Sequence, residues 1–159
     1  MKVVINIKKP SDKSWKVKGT TIAELFKNLN KHKWWGRYRS NEDYKKKKGK
    51  DGYFEQATII GAPVVTMPSW VNYSKASKEE KKSWDDMWKA LKVHELNHHK
   101  IFEKEAEAWK KWMADFEEVD QKTLTAEWDS FKKDLQKAQD AYDKKSKHGK
   151  SEGVILMEV

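Results

Sequence analysis

Apolar positions come in short alternating runs through the first third of the chain and recur every three to four residues through the second half, so strands are expected first and long helices after them. Val3–Ile7 and Trp15–Val17 are β-branched and aromatic runs separated by Pro10 and a Ser11-Asp12 turn, a pattern that reads as a hairpin. After Gly19, Thr21-Ile22-Ala23-Glu24 forms a capping box that opens an amphipathic helix with Ile22, Leu25, Phe26 and Leu29 on one face. Trp34 to Arg39 is again strand-like. The basic stretch Lys45–Gly52 reads as an exposed hairpin tip, and a long strand from Tyr53 to Met67 ends at Pro68.

A second capping box, Ser77-Lys78-Glu79-Glu80, precedes apolar residues at Trp84, Met87, Trp88, Leu91, Ile101, Phe102, Trp109, Trp112, Met113 and Phe116, a period near 3.6. Asp120 to Thr125 breaks this pattern. Trp128, Phe131, Leu135, Ala138 and Tyr142 then mark another helix, which runs to about Lys147 with Gly149 as its terminator. Two long helices joined by a short connection pack antiparallel. The fold class expected is therefore α+β: a small, mainly antiparallel sheet and an N-terminal helix packed with a long antiparallel helical pair. Residues 1–159 are expected to form one domain about one core, with a strand-rich part over 1–70 and a helical part over 77–149.

Charge changes this picture little. The chain carries 34 Lys+Arg against 25 Asp+Glu, a net +9, which raises nucleic-acid binding as a class. Only Arg37 and Arg39 are arginines, and the lysines are interleaved with glutamates as on solvated helix faces, so nucleic acid is an unfavoured partner. No stretch reaches the roughly 18 apolar residues of a membrane span. The N-terminal apolar run is also shorter than the roughly 7–15 residues of a signal-peptide core, so no leader is expected. The absence of cysteine matters more, because any metal must then be held by histidine or carboxylate.

Such residues converge on the first long helix, at Val93-His94-Glu95-Leu96-Asn97-His98-His99. The H-E-x-x-H spacing turns two imidazoles toward one point and places a glutamate to act as general base on a zinc-activated water. His94 and His98 also fill the gap in the apolar stripe between Leu91 and Ile101, so they are expected to point inward. If the connection turns near Val119, Tyr142 stands level with the pair and Asp143 and His148 follow it. His148, just before Gly149, is the expected third zinc ligand; Asp143 is its competitor, or otherwise an acceptor that fixes an imidazole tautomer. The Tyr142 phenol is either an oxyanion donor or the last aromatic of the packing stripe.

Trp15-Lys16-Val17-Lys18-Gly19-Thr20-Thr21-Ile22-Ala23-Glu24-Leu25, Val64–Trp70 with its P-x-W ending, Trp84–His98 and the closing Ala141–Gly149 together resemble a bacterial domain-of-unknown-function family described as predicted secreted zinc-dependent proteases, of the H-E-x-x-H peptidase MA clan. The tail, Y-D-x-x-S-x-H-G, is its more distinctive part. Asn97, Ser146 and Glu152 depart from residues usual in that family, where glycine, threonine and glutamine stand. The resemblance implies a zincin-like fold, a periplasmic or secreted location, and metal and catalytic positions at His94, Glu95 and His98.

The expected function is a Zn2+-dependent metallopeptidase acting on a peptide or protein substrate, with His94, His98 and His148 as ligands, Glu95 as base and Tyr142 as oxyanion donor. A zinc-stabilised, non-catalytic binding or inhibitory module is the alternative, and a lysine-rich nucleic-acid binder is the more distant one.

Overall fold

The computed structural model describes residues 1–159. It is an α+β structure with six strands, β1 (Lys2–Ile7), β2 (Ser11–Val17), β3 (Arg37–Arg39), β4 (Glu42–Lys48), β5 (Phe54–Gly61) and β6 (Val64–Trp70), and three helices, α1 (Ile22–Lys31), α2 (Lys78–Met113) and α3 (Gln121–Ser146). Helix starts follow local chemistry. Thr21 Oγ1 accepts from the Glu24 N–H at 3.1 Å, while the Glu24 carboxylate reaches back to Thr20. Ser77 and Glu80 close a reciprocal capping box, and Asp120 Oδ1 accepts from the Thr123 N–H at 2.7 Å. That last cap starts α3 earlier than the apolar stripe alone suggests, so Leu124 joins the buried face.

The strands pair differently from the expected hairpin and mainly antiparallel sheet. There are two three-stranded mixed sheets, ordered β1-β5-β4 and β2-β6-β3. β1 runs parallel to β5, and β2 parallel to β6, while β4 and β3 pair antiparallel with β5 and β6. Pro10 therefore interrupts the chain without reversing it. The expected long strand is likewise two, broken at Ala62-Pro63, and β3 passes into β4 through Ser40 and Asn41, whose φ of 46° asparagine tolerates. Pro68 lies inside β6 rather than at its end. There β3 no longer pairs with β6, since its register covers only Val64–Thr66, so a missing N–H is not costly on that side.

The chain divides into two compact units, each built from three segments: Met1–Pro10, Ser40–Pro63 and His98–Ala141 in one, and Ser11–Arg39, Val64–Asn97 and Tyr142–Val159 in the other. Where one core is expected from the length, the buried apolar side chains form two clusters. In the first unit Phe102, Ala106, Trp109 and Met113 from α2 meet Leu124, Trp128, Phe131 and Leu135 from α3, with Val3, Ala57 and Ile59 from the sheet. In the second, Trp84, Met87 and Leu91 from α2 meet Leu25 and Leu29 from α1, Val65, Met67 and Trp70 from β6, and Val154 and Leu156 beyond α3. Both α2 and α3 contribute to each unit as uninterrupted helices.

β5 ends hard against this packing. A Cβ on Gly61 would stand 2.7 Å from Phe102 Cε1, and Phe102 is fully buried. Gly61→Ala is expected to lower stability by about 1–3 kcal/mol through overpacking, read as a reduced denaturation midpoint; an unchanged midpoint would show that the Phe102 ring moves aside freely.

Candidate metal centre

The inward stripe of α2 is apolar at Trp84, Met87 and Leu91 and again at Phe102, Ala106 and Trp109. Its middle positions are His94 and His98, 4% and 6% exposed, with Glu95 beside them at 5%. Buried imidazoles need hydrogen-bond partners, and α3 and the turn after it supply them. Gln139 holds His98 twice: its Oε1 meets Nδ1, and its Nε2 donates to the His98 carbonyl at 2.9 Å. Asp143 Oδ1 lies 3.1 Å from His94 Nε2, and Glu152 Oε1 lies 2.8 Å from His94 Nδ1.

Ligand atoms of His94, His98 and Asp143 all lie within 4.8 Å of one another. Three such atoms share a centre no more than about 2.8 Å from each, against roughly 2.0–2.2 Å for zinc bonds to nitrogen and oxygen, so a modest inward movement would complete a coordination triangle. Two imidazoles and one carboxylate are a donor set suited to zinc with an open fourth position. The Nδ1 of each imidazole is already engaged by a side-chain oxygen, the arrangement by which metal-binding histidines are oriented.

His148, the expected third ligand, is not in this cluster. Its backbone adopts φ 56° after the last turn of α3, its N–H donates to the Asp143 carbonyl at 2.8 Å, and its side chain is exposed. Asp143 takes the third place because it is still helical and faces α2, whereas the chain has left the helix by His148. The remaining histidines lie elsewhere: His32 stacks on Trp15 with ring centroids 3.9 Å apart, and His99 pairs with Glu103.

Tyr142 stands level with His94, as the helix register predicts, and their rings stack at 4.9 Å. Its phenol donates to Glu152 at 2.6 Å and accepts from Asn97 Nδ2 at 3.0 Å. Burial, reinforced by the bond to Glu152, pushes the phenol's ionisation well above the usual range. Burial alone would raise the Glu152 carboxyl, but the bonds from Tyr142 and His94 hold it below its ordinary value. For His94 burial opposes the charged ring, yet the bonds to Asp143 and Glu152 and the nearby Glu95 charge outweigh it and raise the pKa above 6.5. Glu95 is packed tightly: a Cβ on Gly36 would stand 3.0 Å from Leu91 Cγ and 3.1 Å from Glu95 Oε1.

Gln139 and the role of Glu152 escape the motif reading. A signal for Gln139 existed in the spacing Gln139, Tyr142, Asp143 and Ser146, which continues the buried stripe of α3 with polar residues. Glu152 stood out only as a departure from the resembled family's glutamine; its contact with His94 had no signal, because it lies past the helix end on a turn whose path the sequence does not reveal.

An α+β scaffold with two buried histidines and a half-buried carboxylate clustered on paired helices is thus the class that fold and site define. The chain belongs to the family described as bacterial protein of unknown function (DUF922), whose model matches residues 13–149 and so includes most of β2, α1, the H-E-x-x-H helix and Asp143. No curated protein and no solved structure matches the chain.

Two measurements follow from this geometry. Zinc titration of Asp143→Ala is expected to show lost or strongly weakened uptake while His148→Ala binds as wild type; the reverse pattern would restore His148 as the ligand. Because the His94 ring must release a proton to bind metal, apparent affinity should fall about tenfold per pH unit below its raised pKa, and the decline should begin above 6.5. A profile flat down to that value would contradict the His94 environment described here.

Proposed function

We propose that the chain is a zinc-dependent metallopeptidase, with His94, His98 and Asp143 as metal ligands and Glu95 as general base. The observation that carries this reading is the convergence of two buried histidines of α2 and the half-buried Asp143 of α3, with Glu95 buried beside the histidines. The resemblance to predicted secreted zinc proteases supports it from the sequence side.

When bound, zinc supplies Lewis acidity toward the carbonyl and acidifies water toward neutral pH. The chain's own residues supply the rest. Glu95 accepts the proton of the attacking water and returns it to the departing amine nitrogen, which lets the C–N bond break without expelling an amide anion. Its carboxylate is buried close to Gly36. Gln139 and Glu152 orient the two imidazoles. The phenol of Tyr142 donates to Glu152 in this structure, so service as an oxyanion donor requires it to exchange that bond.

A structural zinc in a non-catalytic module would be closed by four protein ligands. The exposed side chain of His148, the residue that would close such a site, favours the open, catalytic arrangement. Glu95→Gln tests the proposal: hydrolysis of casein or a mixed peptide library by the zinc-loaded protein is expected to fall about 10²–10⁴-fold with zinc stoichiometry unchanged. Undiminished hydrolysis by that variant, or no zinc-dependent hydrolysis by the wild type, would overturn it.

A further inference from the structure

We infer that Glu152 is the positioning residue of the metal centre: from the turn after α3 it fixes the ring of His94 through Nδ1 and holds the Tyr142 phenol as a brace. The inference rests on the metal reading of His94, His98 and Asp143, and extends it to a residue outside the helix motif.

Three observations carry it. The first is the way one carboxylate serves two groups. Oε1 meets His94 Nδ1 at 2.8 Å, and both oxygens accept from the Tyr142 hydroxyl, at 2.8 and 2.6 Å. A ring that donates Nδ1–H to an oxygen presents the lone pair of Nε2 to a metal, and Nε2 is the atom on the Asp143 side.

The second is the backbone that delivers Glu152. A short 3₁₀ turn, Lys150–Glu152, lies between Gly149 and Gly153, with φ of 90° and 96°. Ser146 Oγ accepts from the Gly149 N–H, Ser151 Oγ donates to the Ser146 carbonyl, and the Val154 N–H returns to the Gly149 carbonyl. Val154 and Leu156 then bury their side chains in the second core, and Ser83 Oγ bonds the Met157 carbonyl at 2.6 Å. The carboxylate is thus fastened on both sides along the chain.

The third is contact. A Cβ on Gly149 would stand 3.2 Å from His94 Cγ and 2.6 Å from Val154 Cγ2, so the turn lies directly against the imidazole. With Tyr142 stacked on that ring and itself bonded to Glu152 and Asn97, the His94 ring is confined by contact and by hydrogen bonds together. The phenol has both its proton and an acceptor site in use, which identifies Tyr142 as part of the support in this state.

Glutamine can still accept from His94 Nδ1–H but offers the phenol an N–H in place of an oxygen, whereas alanine does neither. The test compares wild type, Glu152→Gln and Glu152→Ala by zinc affinity against a chelator and by the downfield imidazole N–H proton resonance of the metal-free protein. Glu152→Ala is expected to lose the His94 resonance and to bind zinc about 10–100-fold more weakly. Glu152→Gln should keep the resonance and stay within about threefold of wild-type affinity, by the same account of outer hydrogen bonds. Zinc uptake by the wild type with equal affinity in Glu152→Ala would overturn the positioning role alone. So would an unaltered resonance in Glu152→Ala, or a loss of affinity in Glu152→Gln as large as in alanine. A wild type that shows the resonance but takes up no zinc overturns the metal reading itself.

Discussion

Two imidazoles on the inward face of a long helix impose the constraint on which the rest of this structure turns. Burying a polar group without a partner costs more than most single packing contacts return, so His94 and His98 demand hydrogen bonds wherever α2 takes them. The C-terminal third of the chain meets that demand. Within one unit α3 runs antiparallel to α2, as the His98–Gln139 bonds and the Trp109–Phe131 contact both attest. Its inward stripe changes from buried aromatics at Trp128 and Phe131 to half-buried polar residues at Gln139, Tyr142 and Asp143, which bond the histidines or stack on them. The two glycines after α3 then permit the turn that brings Glu152 to the remaining nitrogen.

Legibility in the sequence followed the range of the interactions. Caps are local, and Thr21, Ser77 and Gly149 could be read directly because each acts within a few residues. Helical stripes are nearly as local, so α2, α3, the inward direction of His94 and His98 and the level of Tyr142 could all be derived from periodicity. Strand pairing is not local. Pro10 and Ser11-Asp12 look like a reversal, but the same residues allow a strand to pause and continue, and only distant partners, β5 and β6, decide between the two. Two cores escaped detection for a related reason: the stripe of α2 reads as one continuous face, and nothing along it reveals that its two apolar halves meet different sheets.

The third member of the candidate cluster depends on backbone path rather than on helix register. His148 and Asp143 were both within reach by helix register, and nitrogen was favoured on chemical grounds. What separates them is the backbone at the end of α3. Lys147 and His148 both adopt positive φ, at 52° and 56°, which ends the helical projection toward α2 before the imidazole is reached. A preference among ligand atoms thus yields to where the chain can place them. The same departure from the helix that leaves His148 exposed starts the turn carrying Glu152 inward.

Charge gives the cluster a further logic. In a chain of net charge +9, three carboxylates, Glu95, Asp143 and Glu152, act on the single buried ring of His94. Like charges brought together with limited solvation are costly unless a cation sits among them. The surrounding carboxylates favour the charged ring in this way, which raises the His94 pKa despite burial. On the metallopeptidase reading, a divalent ion held by His94, His98 and Asp143 would supply positive charge to the carboxylates in place of the proton on that ring. Proton and metal would then be alternative occupants of one electrostatic position. Glu152 would keep its hold on Nδ1 in both states, while the ligand side chains would draw inward.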